Sequence, residues 1–326
     1  MQPFSYQQAE QADSAIASAR SDQSMYLAGG TSLIDLMKLH VQTPQQLVDI
    51  NALPLAQVER QGNGVRIGAM ARNSDVAYNA MIRQQYPVLS EALLSGASPQ
   101  LRNMATIGGN LLQRTRCYYF RDTAFPCNKR VPGSGCPAIE GYNRIHAILG
   151  GSDHCIATHP SDMAVAMMAL DAVVQTQGPQ GSRSIPIADF HLVPGQTPER
   201  ETVLEHGELI VAVDLPASPF AAQSHYLKVR DRASYAFATS SVAAALELQD
   251  GVVRSARLAL GGVGTKPWRA YEAEKALLNQ PLNQKTLQAA AAAAVQGAKP
   301  QKYNGFKVAL TQRTVMRALA TVGGMA

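Results

Sequence analysis

The residues best suited to chemistry are the cysteines. The chain has four, and all lie in one stretch, spaced Cys117-x9-Cys127-x8-Cys136-x18-Cys155. Four thiolates suit a [4Fe–4S] cluster, which takes one cysteine per iron. Structural zinc, disulfides in an exported protein, and unrelated buried thiols are the competing uses. Structural zinc favours a closely spaced cysteine pair, and none is present. The short ferredoxin spacing is also absent. Arg114, Arg116, Arg121, Lys129 and Arg130 lie in or beside the stretch and would offset a negatively charged occupant. His146, His154 and His159, nearby, read as solvated or capping residues.

Two diglycine motifs form the second chemical feature. In the first, an apolar run Met25-Tyr26-Leu27-Ala28 leads into Gly29-Gly30-Thr31-Ser32 and then Leu33-Ile34-Asp35-Leu36-Met37-Lys38-Leu39. Strand, glycines, helix is an anion-binding order: glycine lets backbone approach a phosphate, and N–H groups at a helix start point at it. Thr106-Ile107-Gly108-Gly109-Asn110 offers a second exposed backbone loop. One diglycine alone also serves as a tight turn. Neither motif has the Rossmann or P-loop spacing. Gly261-Gly262-Val263-Gly264-Thr265-Lys266 is followed by Pro267 and reads as a strand-ending turn.

The elements that must position these features alternate in type. Residues 1–55 read as a small α/β unit, with helix Ser14 to Arg20, strand Met25 to Ala28 and helix Leu33 to Leu39, capped by Thr31 or Ser32. Strand Val65 to Ala69 follows an Asn-Gly turn, Asn73 to Asp75 caps a helix, and Val88 to Leu94 forms another. Residues 114–156 are irregular, and a loop of that length in a compact domain is usually functional. Helix Asp162 to Leu170, strand Ala172 to Thr176 and strand Glu208 to Leu215 come next. Pro216 to Phe220 reads as a linker. Beyond it lie strands Ser224 to Arg230, Ser240 to Gln249 and Val252 to Gly261. Two helices close the chain, one capped by Asn283 and stopped by Gly297, the other Phe306 to about Ala320.

Composition narrows the function. The net charge of +5 is compatible with plain solubility or with docking to an acidic partner. No basic helix interleaved with aromatics suggests nucleic acid. No long apolar run suggests a membrane span, and the first residues do not read as a secretory signal. No G-x-S-x-G or H-E-x-x-H supports a hydrolase.

The ordered set of motifs resembles the FAD-binding subunits of the molybdenum hydroxylases, the xanthine dehydrogenase and CO dehydrogenase medium-subunit family. Ala28 to Lys38 looks like the first FAD motif, Ile67-Gly68-Ala69-Met70-Ala71 like the strand after it, and Thr106 to Asn110 like the second FAD motif. Pro160-Ser161-Asp162-Met163-Ala164, Lys228-Val229-Arg230-Asp231 and Leu260-Gly261-Gly262-Val263-Gly264 follow in the family's order. The resemblance spans nearly the whole chain and is strongest to the periplasmic aldehyde oxidoreductase branch, then to 4-hydroxybenzoyl-CoA reductase. It implies an α+β protein: a two-lobed FAD-binding domain over 1–218 (lobes of about 1–55 and 56–218, with the iron–sulfur loop at 114–156) and a C-terminal domain of antiparallel sheet and helices over 219–326.

The same resemblance implies roles. Backbone groups of Ala28, Gly29, Gly30, Thr31, Ser32 and Leu33 would hold the FAD pyrophosphate, with Gly108, Gly109 and Asn110 on its other side, and Tyr26, Leu27, Ile34 and Thr106 would also contact the cofactor. Asp162 would accept hydrogen bonds from FAD, and Leu209 and Lys228 would contact the flavin. On the residues alone, Asp162 also suits a helix cap, Lys228 a solvated strand and Tyr235 either a flavin neighbour or core. Both named branches carry a cluster-bearing insert, which implies a [4Fe–4S] cluster on Cys117, Cys127, Cys136 and Cys155. The chain would relay electrons from a [2Fe–2S] small subunit and a molybdopterin-binding large subunit to an external acceptor. A periplasmic location would require export with a partner; otherwise the chain is cytoplasmic. Two rivals are a non-redox phosphate-ligand module with a structural zinc loop, and the related oxidases with covalent flavin. The absence of histidine from the first diglycine loop argues against the latter.

Overall fold

A computed structural model describes residues 1–325. The chain builds three sheets in succession. The first is parallel, with strand Gln46–Asp49 between Ser5–Gln8 and Ser24–Leu27. Helices Ala12–Ser18 and Leu33–Lys38 make the crossovers that parallel strands require. Ser5–Gln8 carries no apolar alternation and lies exposed at the sheet edge, so its sequence gives no strand signal.

The second sheet is antiparallel, in the order Val58–Gln61, Gly64–Gly68, Leu209–Leu215, Val173–Gly178, Gly181–Pro186. Strand Leu209–Leu215 joins its centre from far along the chain. The third sheet, Trp268–Arg269, Val252–Gly261, Ser240–Gln249 and Ser224–Val229, is antiparallel too. Helices Tyr271–Leu277, Gln284–Ala294 and Phe306–Val322 belong with it. Asn283 caps the second of these, accepting from Thr286 N at 3.1 Å. This mixed architecture is the expected α+β class.

Helix Asp162–Ala169 explains how the second and third sheets meet. All eight of its residues are buried, as a helix apolar all round should be. Its core includes Ile67 and Val213 from the second sheet and Tyr226, Ala243 and Ala259 from the third. Ser161, not Asp162, caps it, accepting from Ala164 N at 3.0 Å.

Three local expectations are corrected. Asn73 lies inside helix Asn73–Tyr78, behind Arg72, and makes no cap bond. Neither Thr31 nor Ser32 caps Leu33–Lys38 by its side chain. Gly108 and Gly109 sit not in an open loop but in a short helix, Ile107–Leu111, capped by Thr106, whose Oγ1 accepts from Gly109 N at 3.2 Å.

Residues 114–156 stay irregular apart from the short helix Tyr118–Arg121. The loop is packed at two places. Cys117, Phe120, Ala138, Cys155 and Ile156 cluster with Leu36 of helix Leu33–Lys38. Ile148 and Leu149 enter the core of the third-sheet region.

Candidate functional site

The two diglycine motifs meet. A Cβ placed on Gly29 would lie 1.9 Å from the carbonyl oxygen of Met104, two residues before Thr106. Only glycine allows this approach, which brings the two loops together. Gly30 has φ +71°, which completes the turn into the helix. Asn51 holds the entering strand by donating from Nδ2 to Ala28 O at 3.0 Å. Asn51 Oδ1 in turn accepts from Arg72 Nη2 at 3.1 Å.

Between the loops lies a cavity of about 370 Å³. Of the residues singled out above, Tyr26, Ala28, Gly29, Gly30, Thr31, Ser32, Leu33, Thr106, Gly108, Gly109 and Leu209 line it. A second cavity, of about 680 Å³, opens between the cysteine loop and the C-terminal region. Asp162 lines that one, with Arg116, Arg121, Arg144 and Phe237. Thr158 and His159 line both, so the cavities are neighbours. Leu27, Ile34, Asn110 and Lys228 line neither.

The last two act from behind the walls. The Lys228 side chain is buried and donates to Asp162 Oδ2 at 2.7 Å, while Tyr226 donates to Asp162 Oδ1 at 2.6 Å. The carboxylate is thereby aimed and its charge balanced. Asn110 Oδ1 accepts from Ser161 Oγ at 2.6 Å, tying the second diglycine helix to the cap of the central helix. Tyr235, by contrast, is exposed, with the Arg232 guanidinium over its ring.

Sequence reasoning missed several cavity residues. His159 and His191 pack ring against ring at 4.4 Å in the wall of the first cavity. His191 lies within hydrogen-bond distance of Leu111 O, at 2.9 Å. Burial pushes His191 down to about 4, and burial with the neighbouring His191 pushes His159 well below its ordinary value. Both are therefore neutral near pH 7; the solvated reading of His159 is corrected, while its Nδ1 accepts from Ser161 N at 3.4 Å just before the central helix. Glu201 also lines the cavity and pairs with Arg114 at 2.5 Å and Lys129 at 2.8 Å. Burial raises its carboxyl, but those two cations outweigh it and hold it below the ordinary range. The His-Pro-Ser-Asp run was the only local signal for any of these.

The cations flagged beside the cysteines have specific partners. Arg116 and Arg121 both pair with Asp35, at 3.0 and 2.8 Å, fastening the loop to helix Leu33–Lys38. Arg130 donates to the carbonyls of Tyr119 and Phe120 at 2.7 and 2.5 Å.

All four cysteines line one small cavity of about 10 Å³, together with Phe120, Pro126 and Ala138. No disulfide forms among them. Backbone N–H groups of Tyr119 and Phe120 face Cys117, those of Ala138 and Ile156 face Cys136, and that of Ala157 faces Cys155. Burial pushes the Cys117 thiol up to about 12. His146, expected to be solvated or capping, is buried with Nε2 3.1 Å from Cys117 Sγ, while His154 is exposed. Burial and the Lys307 charge push His146 down to about 4. Among the described residues, no three His, Cys, Asp or Glu side chains gather tightly enough to share one metal ion. Cys155 and Lys129 line both this cavity and the first one.

Comparison with known proteins identifies the architecture. Residues 2–218 match the family described as the FAD binding domain in molybdopterin dehydrogenase. Residues 225–322 match the CO dehydrogenase flavoprotein C-terminal domain. The chain is 53% identical over 323 residues to the aldehyde oxidoreductase FAD-binding subunit PaoB of Escherichia coli strain K12, covering 98% of each chain. It is 32% identical to the glyceraldehyde dehydrogenase medium chain of Sulfolobus acidocaldarius, covering 86% of this chain and 83% of that one. The solved structure of carbon monoxide dehydrogenase from Hydrogenophaga pseudoflava aligns with a TM-score of 0.77 at 28% identity, over 100% of this chain and 99% of that one. With its diglycine loops joined at one cleft, this chain belongs to the family of FAD-binding subunits of the molybdenum hydroxylases, and is an oxidoreductase subunit.

Proposed function

We propose that this chain is the electron relay of a molybdenum-dependent aldehyde oxidoreductase, receiving electrons from [2Fe–2S] clusters on a small subunit and passing them through FAD to an external acceptor. The observation that carries this reading is the backbone contact between Gly29 and Met104, which turns two separate diglycine motifs into one cradle. The 53% identity to an aldehyde oxidoreductase subunit supports the substrate class. Aldehyde oxidation itself belongs to a molybdopterin-binding large subunit. The resemblance to the periplasmic branch supports a periplasmic location.

In this reading the backbone from Ala28 to Leu33 and at Gly108 and Gly109 holds the pyrophosphate. FAD, when bound, supplies the exchange between single-electron donors and the acceptor. The protein's part is binding and orientation. Leu209 lines the first cavity, and Asp162, held by Lys228 and Tyr226, presents a fixed carboxylate to the second. Lys228 thus acts on the flavin region through Asp162.

The cysteine cavity fits a [4Fe–4S] cluster by its donor chemistry. One cysteine per iron calls for sulfurs spread around a volume, not gathered on a point. Four thiols from one loop enclose a common cavity, and backbone N–H groups face three of the sulfurs. Those donors favour thiolates, the form that binds iron. They work against burial, which raises the Cys117 thiol, and against the neighbouring Cys136 and burial, which raise the Cys155 thiol.

The test is the visible spectrum of the anaerobically purified chain, with iron, zinc and acid-released flavin quantified. About one FAD and four irons per chain are expected, the iron being lost in Cys117→Ser. FAD without iron removes the cluster and keeps the relay. A colourless chain holding zinc replaces the reading with a non-redox phosphate-ligand module.

A further inference from the structure

His146 stands out among the buried polar groups that cofactor binding does not use. Its Nε2 lies 3.1 Å from Cys117 Sγ. Its Nδ1 is buried without a partner. A thiolate sulfur only accepts hydrogen bonds, so Nε2 must carry the proton whenever Cys117 is a ligand. Nδ1 is then a lone pair, which is less costly to leave unpartnered than an N–H.

The imidazole is held there from the C-terminal region. Lys307 Nζ donates to Ile145 O, His146 O and Gly262 O at 3.1, 3.0 and 2.7 Å. Asn304 Nδ2 donates to His146 O at 3.2 Å. His146 N donates to Asn143 O at 3.0 Å. The peptide carrying the ring is thus gripped on both sides, and its side chain has one polar target, the sulfur.

We propose that His146 tunes the four-cysteine site, donating Nε2–H to Cys117 and so raising the reduction potential of the iron–sulfur cluster held there. The proposal rests on the cluster reading above. A hydrogen bond to a ligand sulfur draws electron density from it and stabilises the added charge of the reduced cluster. Lys307 and Asn304 are positioning residues that act through His146.

The experiment uses the full chain purified anaerobically as wild type, His146→Leu and His146→Gln. Iron, acid-labile sulfide and FAD are quantified, and potentials are read by redox titration followed by electron paramagnetic resonance. With iron content equal, the potential is expected to fall in His146→Leu and to return toward wild type in His146→Gln, which keeps a donor. Equal potentials in wild type and His146→Leu overturn the proposal. If His146→Leu loses its iron, the reduced wild type labelled with nitrogen-15 histidine decides by electron–nuclear double resonance. Coupling to one histidine nitrogen bearing an exchangeable proton supports the proposal, and its absence overturns it. A wild type with FAD and no iron fails earlier and differently, because it removes the cluster reading itself.

Discussion

The diglycine cleft and the cysteine loop adjoin each other yet are held by opposite means. The cleft is built from backbone: a strand end, two short helices and a glycine contact that excludes any side chain. The cysteine loop has almost no regular structure, and side chains hold it. Lys307 grips its carbonyls from the C-terminal region, Arg116 and Arg121 tie it to Asp35, and Arg130 closes it on itself. Backbone placement suits a ligand recognised by its phosphates. Side-chain staples suit a loop that must keep four thiols around one volume without a ladder of its own. The difference teaches that local sequence can encode the first kind of site, whereas the second depends on partners far along the chain.

Removing a staple should test this contrast most severely. Lys307→Met removes the donor shared by the carbonyls of Ile145, His146 and Gly262, of which Ile145 O keeps Thr158 Oγ1 and His146 O keeps Asn304 Nδ2, and should cost about 4 kcal/mol of stability. Urea unfolding measures it, and an unchanged midpoint would mean that the loop holds itself. The matching change in the cleft is Gly29→Ala. Its Cβ meets backbone and not a movable side chain, so the loops must part at a cost of about 3 kcal/mol. FAD content per chain should fall at least about tenfold, a drop of roughly 1.4 kcal/mol or more in binding. Retention of full FAD would show that the joined loops are not the cradle.

Acid should act on the cleft through His191. Its folded value, about 4, lies below the unfolded value of about 6.5. As pH falls through that window the unfolded chain takes the proton first, so stability present at neutral pH is lost on acidification. Between about pH 7.5 and pH 5 the loss should be about 2 kcal/mol for this group. Urea midpoints at the two pH values measure it, and His191→Gln should flatten the dependence. The smallest effect belongs to Arg144, whose pair with Asp231 joins the loop to the C-terminal region in the open. Arg144→Ala should shift stability by about 0.5 kcal/mol or less. A larger loss would move this exposed pair into the company of Lys307.

Much of the molecule was legible before any coordinates. Strands Ser240–Gln249 and Val252–Gly261 fall where apolar runs between turn signals put them. The Asn283 cap needs only local bonds. Edge strand Ser5–Gln8 escaped because polar residues pair there through backbone alone. The Ile107–Leu111 helix escaped because glycines disfavour helix, and packing against Ala69 overrides that preference.

The sequence by itself determined which residues can do chemistry: the glycines, whose lack of a side chain is intrinsic, and the cysteines, whose sulfur is. Tertiary structure alone decided what those residues face. Met104 meets Gly29, His191 meets His159, Glu201 meets Lys129, and Lys307 reaches His146 across about half of the chain. Local propensity acts over a few residues, while these contacts are set by the burial of whole sheets and helices against one another.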